Sequence, residues 1–238
     1  MKGRTKPKGF GIAAILAALL IAAIIVPSVG AQPVSEEVGP FSGAEMPEEL
    51  KNAVRQVDPY TFVCGAHVPD KKAFVAAWEA YEEAARGERE SVGALRYEES
   101  GTDNATKDIL GSYIEGETYF HGIRTGLTGT KFTGDGHTKG GWWGDEPWTA
   151  DKLQLDSVIV IRGLGDVSLS IPPGAGFSIS GNTATYSGTW YDEYWAAHYY
   201  ENLEATSLIA IVDEDQNDAE TFRFGNEDHT LYTHVDLD

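Results

Sequence analysis

Residues 153–171 read LQLDSVIVIRGLGDVSLSI. Valine, isoleucine and leucine dominate two short runs here, Leu153–Ile161 and Val167–Ile171, and glycines lie between them. Short runs of this kind, bounded by glycines, are typical of strands in a sheet. The sequence S-G-N-T at 180–183 predicts a hairpin turn between two such strands. The same pattern predicts further strands at Val92–Glu98, Ser112–Phe120, Phe177–Ser180, Thr183–Tyr186, Leu208–Val212, Thr221–Phe224 and Leu231–Val235.

Two helices are predicted before this β-rich region. The first follows Pro47, has apolar residues at helical spacing at positions 50, 53, 54 and 57, and ends before Asp58-Pro59. Residues 60–68 are predicted to form a strand. The second helix has Asp70 as its N-cap, an apolar stripe from Phe74 to Ala85, and Gly87 as its left-handed C-terminal residue. We therefore expect an α+β, mainly β fold: an antiparallel sandwich or open barrel preceded by two helices.

Two segments are harder to assign. Residues 122–144 hold eight glycines and almost no aliphatic side chains, which predicts a long loop. Residues 191–203 (YDEYWAAHYYENL) fit both a helical stripe and a strand alternation, and we favour the helix slightly.

The first thirty residues have the pattern of an export signal. Four cations, at positions 2, 4, 6 and 8, precede the unbroken apolar run Phe10–Val26. Pro27 and the small residues before Gln32 complete a secretory signal peptide that would be cleaved after Ala31. An uncleaved anchor is the alternative, because about 17 residues is the lower limit for a spanning helix. Both predict an extracellular or cell-surface protein, attached to the membrane only through this segment if it is retained.

The sequence Lys8-Gly9-Phe10 also resembles the class III leader of pilins, in which a prepilin peptidase cuts after a glycine that follows a basic residue. The resemblance covers only the leader, and Ala14 stands where bacterial pilins have glutamate. It implies a mature N-terminus at Phe10 and an apolar helix packed in a filament core.

The domain prediction is a signal peptide or anchor at 1–31, a linker at 32–45 and one β-rich extracellular domain at 46–238, with its helical part at 46–90.

Composition excludes several classes of function. The net charge of -19 argues against nucleic acid as a partner. A single cysteine excludes a disulfide framework, a zinc ribbon and an iron–sulfur cluster. Neither a serine nucleophile elbow nor a phosphate-binding glycine loop is present, so no motif fixes a reaction.

An acidic stretch at 213–220 (DEDQNDAE) predicts a calcium site in a loop between two strands. Calcium prefers six to eight hard oxygen ligands, which acids at alternate loop positions supply together. An EF-hand is excluded, because Asp218 and Phe224 stand where that motif has glycine and glutamate. The predicted ligands are Asp213, Asp215, Asn217, Asp218 and Glu220. The alternative is a solvated acidic turn that binds no metal.

The glycine-rich segment ends in a cluster of tryptophans, GGWWGDEPW. Large aromatic rings in a polar loop mark binding surfaces, and flat rings stack on the apolar faces of sugars. We predict a glycan or partner-protein site at Trp142, Trp143 and Trp148. The alternative is that the loop folds back and these rings close one end of the sheet packing.

These patterns favour an exported, non-enzymatic structural or ligand-binding protein with a calcium-binding β domain, which self-associates or binds a cell-surface partner or a glycan. One alternative is a secreted glycan-active hydrolase with carboxylates in a tryptophan-lined cleft. Glu115 and Glu117 share one face of a predicted strand, although acids are abundant in this chain. The other alternative is a filament subunit with a pilin-like leader.

Overall fold

The computed structural model describes residues 39–87, 96–109, 111–126, 129–144 and 148–237. The predicted leader, linker residues 32–38 and residues 92–95 of the strand predicted at Val92–Glu98 lie outside this part. Two helices, α1 (Glu48–Lys51) and α2 (Lys71–Arg86), are present in the described residues. The strands are β1 (Val54–Asp58), β2 (Thr61–Cys64), β3 (Arg96–Ile109), β4 (Ser112–Thr125), β5 (Lys131–Trp143), β6 (Lys152–Leu164), β7 (Val167–Ser170), β8 (Ser178–Ser180), β9 (Thr183–Trp190), β10 (Trp195–Ser207), β11 (Ala210–Phe224) and β12 (Glu227–Leu237).

The strands form two antiparallel sheets. The large sheet has the order β1-β2-β10-β5-β4-β3, and β7 pairs with β10 beside this row. The small sheet has the order β12-β11-β6-β9-β8. The predicted turn at 180–183 is confirmed, since Ser180 pairs with Thr183 across Gly181 and Asn182. The mainly β, antiparallel fold is confirmed as a sandwich.

The inner faces of the two sheets bury two separate apolar clusters. One contains Phe120, Phe132 and Ile159, and the other contains Ile114, Trp142 and Phe222. Between them, at the middle of the sandwich, the inward positions of five strands carry polar groups instead. We call this set the polar layer; its members are Thr118, Thr138, Ser157, Gln216, Asp218, Glu220 and Thr233.

Helix α2 covers the outer face of the large sheet. The Asp70 side chain accepts a hydrogen bond from the backbone N–H of Ala73 at 3.0 Å, and Gly87 has a positive φ of 60°, so both predicted ends of this helix are confirmed. Phe74, Trp78 and Tyr81 are buried in a third apolar cluster with aromatic residues of β2 and β10. These apolar contacts give a three-layer arrangement of helix, large sheet and small sheet.

The glycine-rich segment is a pair of strands and not a long loop. Strand β4 continues to Thr125, and β5 begins at Lys131. The glycines leave room for side chains that cross the sheet: a Cβ on Gly134 would lie 2.7 Å from the ring of Phe132, and one on Gly140 would lie 3.0 Å from Leu155. Close packing therefore explains the composition that predicted a loop.

The segment 191–203 forms most of β10, so the preference for a helix was wrong. Its strand pairs with β2 on one side and β5 on the other. From Trp195 to Tyr200 every residue is buried, because the helix covers one face of the sheet and the small sheet covers the other. Such a strand lacks the polar alternation that identifies half-buried strands. Asn202, with φ of 55°, lies at the bulge between Tyr200 and Leu203.

The N-terminal part differs from prediction in its details. The first helix has only four residues, and Val54 and Val57 belong to β1, which pairs with β2. This hairpin lies between the two helices, so they do not both precede the sheet. The strand predicted at 60–68 ends at Cys64. No helix among the described residues is long and apolar enough to cross a membrane.

Candidate functional site

The three tryptophans at the end of β5 do not share one surface. Trp142 is 1% exposed between the sheets, where its ring lies 4.9 Å from that of Trp148. Trp148 is 36% exposed at the edge of this contact. Trp143 points to the opposite face of β5, toward α2, because successive side chains of a strand alternate.

A cavity of about 250 Å³ lies between α2 and the outer face of the large sheet. Trp143 is the one predicted ligand-binding residue that lines it. Its floor includes Gly140 and Gly141 of β5. The remaining lining combines apolar and charged side chains, namely Phe74, Val75, Trp78, Trp195, Lys71, Glu79, Glu115, Glu117 and Lys139.

The strand register brings the charged lining residues together. The side chains of Glu115 and Glu117 both lie on the outer face of β4, and Lys139 of β5 is the register partner of Glu117. The Nζ of Lys139 lies 2.9 Å from Oε1 of Glu117 and 2.8 Å from Oε1 of Glu82, which belongs to α2. One lysine therefore bridges carboxylates from the sheet and the helix.

These contacts keep the two bridged carboxylates ionised. Burial opposes ionisation of Glu117, but hydrogen bonds from His137 and Lys139 outweigh it and lower its pKa. Burial also opposes ionisation of Glu82, but the nearby Lys139 charge and the hydrogen bonds from Lys139 and Tyr199 together lower its pKa. Burial lowers the pKa of His137, so the imidazole is neutral while its Nε2 lies 2.9 Å from Glu117 Oε1.

Lys71, the first residue of α2, covers another part of the cavity. Its Nζ lies 2.6 Å from Oε2 of Glu115 and 5.3 Å from the centre of the Trp143 ring. The indole N–H of Trp143 is buried and has no hydrogen-bond partner within the described residues. The cavity thus combines aromatic surfaces and charged groups.

The acidic stretch 213–220 lies within β11 and is not a loop, so its side chains alternate between two environments. Asp213, Asp215 and Asn217 lie on the outer face of the small sheet. Asp218 and Glu220 point between the sheets and belong to the polar layer. The five predicted metal ligands therefore do not converge on one point.

The structure instead brings a third aspartate to the outer pair. Asp236 is the register partner of Asp215, and one carboxylate oxygen from each of Asp213, Asp215 and Asp236 lies within 4.8 Å of the others. Such a group could hold a metal ion. Asp236 was missed by sequence analysis, because only the pairing of β11 with β12 places it there. Arg162 of β6 forms ion pairs with Asp213 and Asp215.

Within the part of the chain that the structure describes, the inner pair has no such cation among its contacts. Asp218 Oδ2 accepts a hydrogen bond from Thr118 at 2.6 Å, and Glu220 Oε1 accepts hydrogen bonds from Thr233 at 3.2 Å and Thr138 at 3.3 Å. Burial raises the pKa of Asp218 to about 6. Burial and the Asp218 charge raise the pKa of Glu220 to about 8.

No protein-family model matches the chain, and no curated protein sequence matches it. Among solved structures, it is similar to the collagen adhesin (CNA) from S. aureus, with 8% sequence identity and a TM-score of 0.18. The match covers 61% of this chain and 80% of that one. A likeness at this level supports no statement about function.

Proposed function

We propose that this chain is an exported, non-enzymatic binding protein of the cell surface or extracellular space, and that its ligand is a glycan bound in the cavity beneath α2. The observation that carries the proposal is the position of the Trp143 and Trp195 rings beside Glu115, Glu117 and Lys71. Aromatic rings stack on the apolar face of a sugar, while charged groups bind its hydroxyls. The volume is just below the roughly 300–1,000 Å³ typical of drug-sized ligands, which favours one end of a glycan over an internal segment.

The ionisation of the cavity favours binding over hydrolysis. A glycosidase needs one carboxylic acid with a raised pKa to protonate the leaving group. The pKa of Glu117 is lowered, and its oxygen already accepts hydrogen bonds from His137 and Lys139. Glu117 is therefore a poor proton donor and a good fixed acceptor for a ligand hydroxyl.

A glycan array with the full chain, followed by calorimetric titration of the best ligand, tests this function. Glu115→Gln and Lys71→Met should each weaken binding by about tenfold or more, because each removes a charged hydrogen-bonding group. Lys72→Met is the matched control, since Lys72 is exposed on the same turn of α2. Absence of binding to every glycan, or release of free sugar from a bound polysaccharide, would reject the proposal.

We also propose that the outer aspartates bind calcium. The spacing of Asp213, Asp215 and Asp236 supports this site, and the Arg162 guanidinium is the competing cation. Millimolar calcium should raise the melting temperature, Asp236→Asn should abolish the rise, and Arg162→Gln should enlarge it. Asp166→Asn, at an exposed turn, should leave it unchanged. An equal rise in all four proteins would indicate nonspecific screening and reject the site.

Export itself is tested by the N-terminal sequence of the native protein. We expect Gln32 as the first residue if a signal peptidase acts, and Met1 in a membrane fraction if the segment is a retained anchor. A start at Phe10 would instead favour the filament subunit. Recovery of full-length chain in the cytosol would reject export.

A further inference from the structure

In the polar layer, one carboxylate base accepts hydrogen bonds from a hydroxyl nucleophile and from a side-chain amide, and a tyrosine beside the layer donates a hydrogen bond to the oxygen of that amide. Thr118 extends from β4 of the large sheet, and Gln216 and Asp218 extend from β11 of the small sheet. Tyr200 lies on β10 of the large sheet. All four are at most 3% exposed, so their side chains meet in a region closed to bulk water.

Asp218 connects the threonine to the glutamine. Its Oδ2 accepts a hydrogen bond from the Thr118 hydroxyl at 2.6 Å and another from the Gln216 amide nitrogen at 2.8 Å. The same oxygen is thus positioned to take a proton from the hydroxyl and to deliver one to the amide nitrogen. A nucleophile that donates a hydrogen bond to a base is the arrangement required for attack on a carbonyl carbon.

Tyr200 contacts the oxygen atom of the Gln216 amide. Its hydroxyl donates a hydrogen bond of 2.6 Å to Oε1 of Gln216. A donor aimed at this oxygen stabilises the negative charge that develops when the carbonyl carbon is attacked. The Gln216 Nε2 also contacts the backbone carbonyl of His137 at 3.3 Å, so the amide is held in a single orientation.

We propose that Thr118 and Gln216 form an intramolecular ester bond that joins the two sheets. Asp218 takes the hydroxyl proton as Thr118 Oγ1 attacks Cδ of Gln216, and the charge on Oε1 is stabilised by Tyr200. The intermediate collapses as Asp218 returns the proton to Nε2. The C–N bond breaks, one molecule of ammonia leaves, and the Oγ1–Cδ ester bond remains. No oxidant, cofactor or second substrate is needed.

The surroundings favour this reaction in two ways. Fixing both groups beside one base replaces a collision between separate molecules, which is worth a large effective concentration. Exclusion of water protects the ester from hydrolysis, while ammonia that escapes to solvent is diluted and does not reverse the step. The bond would tie β4 to β11 covalently, which suits an exported protein that must resist unfolding.

Peptide mapping of the purified full chain tests the proposal. Trypsin places Thr118 in residues 108–124 and Gln216 in residues 163–223. The ester predicts one linked peptide with the summed mass less one ammonia, which hydroxylamine separates into two. Intact mass alone does not suffice, because cyclisation of an N-terminal Gln32 also loses ammonia.

Variants identify the reacting groups. Thr118→Val should abolish the linked peptide, whereas Thr138→Val should retain it, because the Thr138 hydroxyl contacts Glu220 in the same layer. Tyr200→Phe should slow its appearance after refolding by about 100-fold, as expected for loss of an oxyanion donor. Two separate unmodified peptides from folded wild-type protein would overturn the proposal, whether or not any variant folds. So would a linked peptide that persists in Thr118→Val.

Discussion

Asp218 and Glu220 point to the same side of β11 and place two carboxyl groups between the sheets, where burial and the Asp218 charge raise the pKa of Glu220 to about 8. At neutral pH Glu220 is therefore mostly protonated, and it remains compatible with the apolar clusters on either side. Two charged carboxylates at this position would destabilise the sandwich.

The raised pKa of Glu220 predicts a loss of stability as pH rises. An acid whose pKa is about 4.5 when unfolded and about 8 when folded stabilises the fold fully below pH 4.5, and this contribution is lost as pH rises toward 8. Glu220→Gln should remove the decline and make the variant more stable than wild type at pH 8. The measurement is the free energy of unfolding in urea from pH 4 to pH 9.

The difference between the two stability curves isolates Glu220 from other titrating groups. Buried His137, whose pKa is lowered, gains stability with rising pH and so acts in the opposite direction. Asp218→Asn should flatten the part of the curve below about pH 6 and, because it removes a charge that raises the pKa of Glu220, should also move the Glu220 decline to lower pH. Parallel curves for wild type and Glu220→Gln would show that folding does not raise the pKa of Glu220.

Lys139 is predicted to be essential for stability because it is the cation between Glu82 and Glu117. Replacing one member of a buried ion pair leaves the others charged and uncompensated, which costs roughly 3–5 kcal/mol. Lys139→Met should lose about this much free energy of unfolding at pH 7. Lys51→Met is the control, since Lys51 also contacts two glutamates but at an exposed position, and it should change stability little. Equal effects of the two substitutions would contradict the assignment.

Sequence patterns predicted the fold where one face of an element is apolar and the other is polar. Helix α2 has such a stripe together with both end signals, and the strands around residues 153–171 have β-branched residues bounded by glycines. Strand β10 has neither of these sequence patterns, because its first half is buried on both faces. Strand β5 has glycines at positions where neighbouring aromatic rings pack against its backbone. Its sequence therefore resembles that of a loop, and only the packing in the folded protein identifies it as a strand.

Only part of the site was open to prediction, because it depends on pairing between distant strands. Trp143 was identified as a site residue. That its ring lies on the opposite face of the sheet from the Trp142 ring follows only from the alternation of side chains along β5. The acids of β11 were recognised as a group, whereas their separation into outer and inner pairs required knowing that the segment is a strand. Asp236 joins the outer pair only through the register of β12.

Trp142 and Trp148 provide a direct comparison of buried and half-exposed aromatic rings. Trp142→Ala should cost about 3–5 kcal/mol, because it leaves a cavity between the sheets. Trp148→Ala should cost clearly less, since its ring is partly in water before the change. Neither residue lines the cavity beneath α2, so Trp148→Ala should leave glycan affinity unchanged. A loss of affinity in Trp148→Ala would move the binding surface to the end of the sandwich.

Gly141 provides the sharpest test of how the cavity is built. A Cβ at this position would lie 2.5 Å from Cε2 of the Trp143 ring, so Gly141→Ala must displace the indole that forms one wall. We expect a cost of about 1–3 kcal/mol in denaturant unfolding, as for other overpacked sites. Glycan binding should be lost, because the displaced ring no longer faces Lys71 and Glu115. In a Trp143→Leu background the same glycine substitution should cost much less, since the clashing ring is gone, and binding should remain absent. An unchanged cost in the double variant would place the clash elsewhere, and retained affinity in Gly141→Ala would show that the ligand does not contact Trp143.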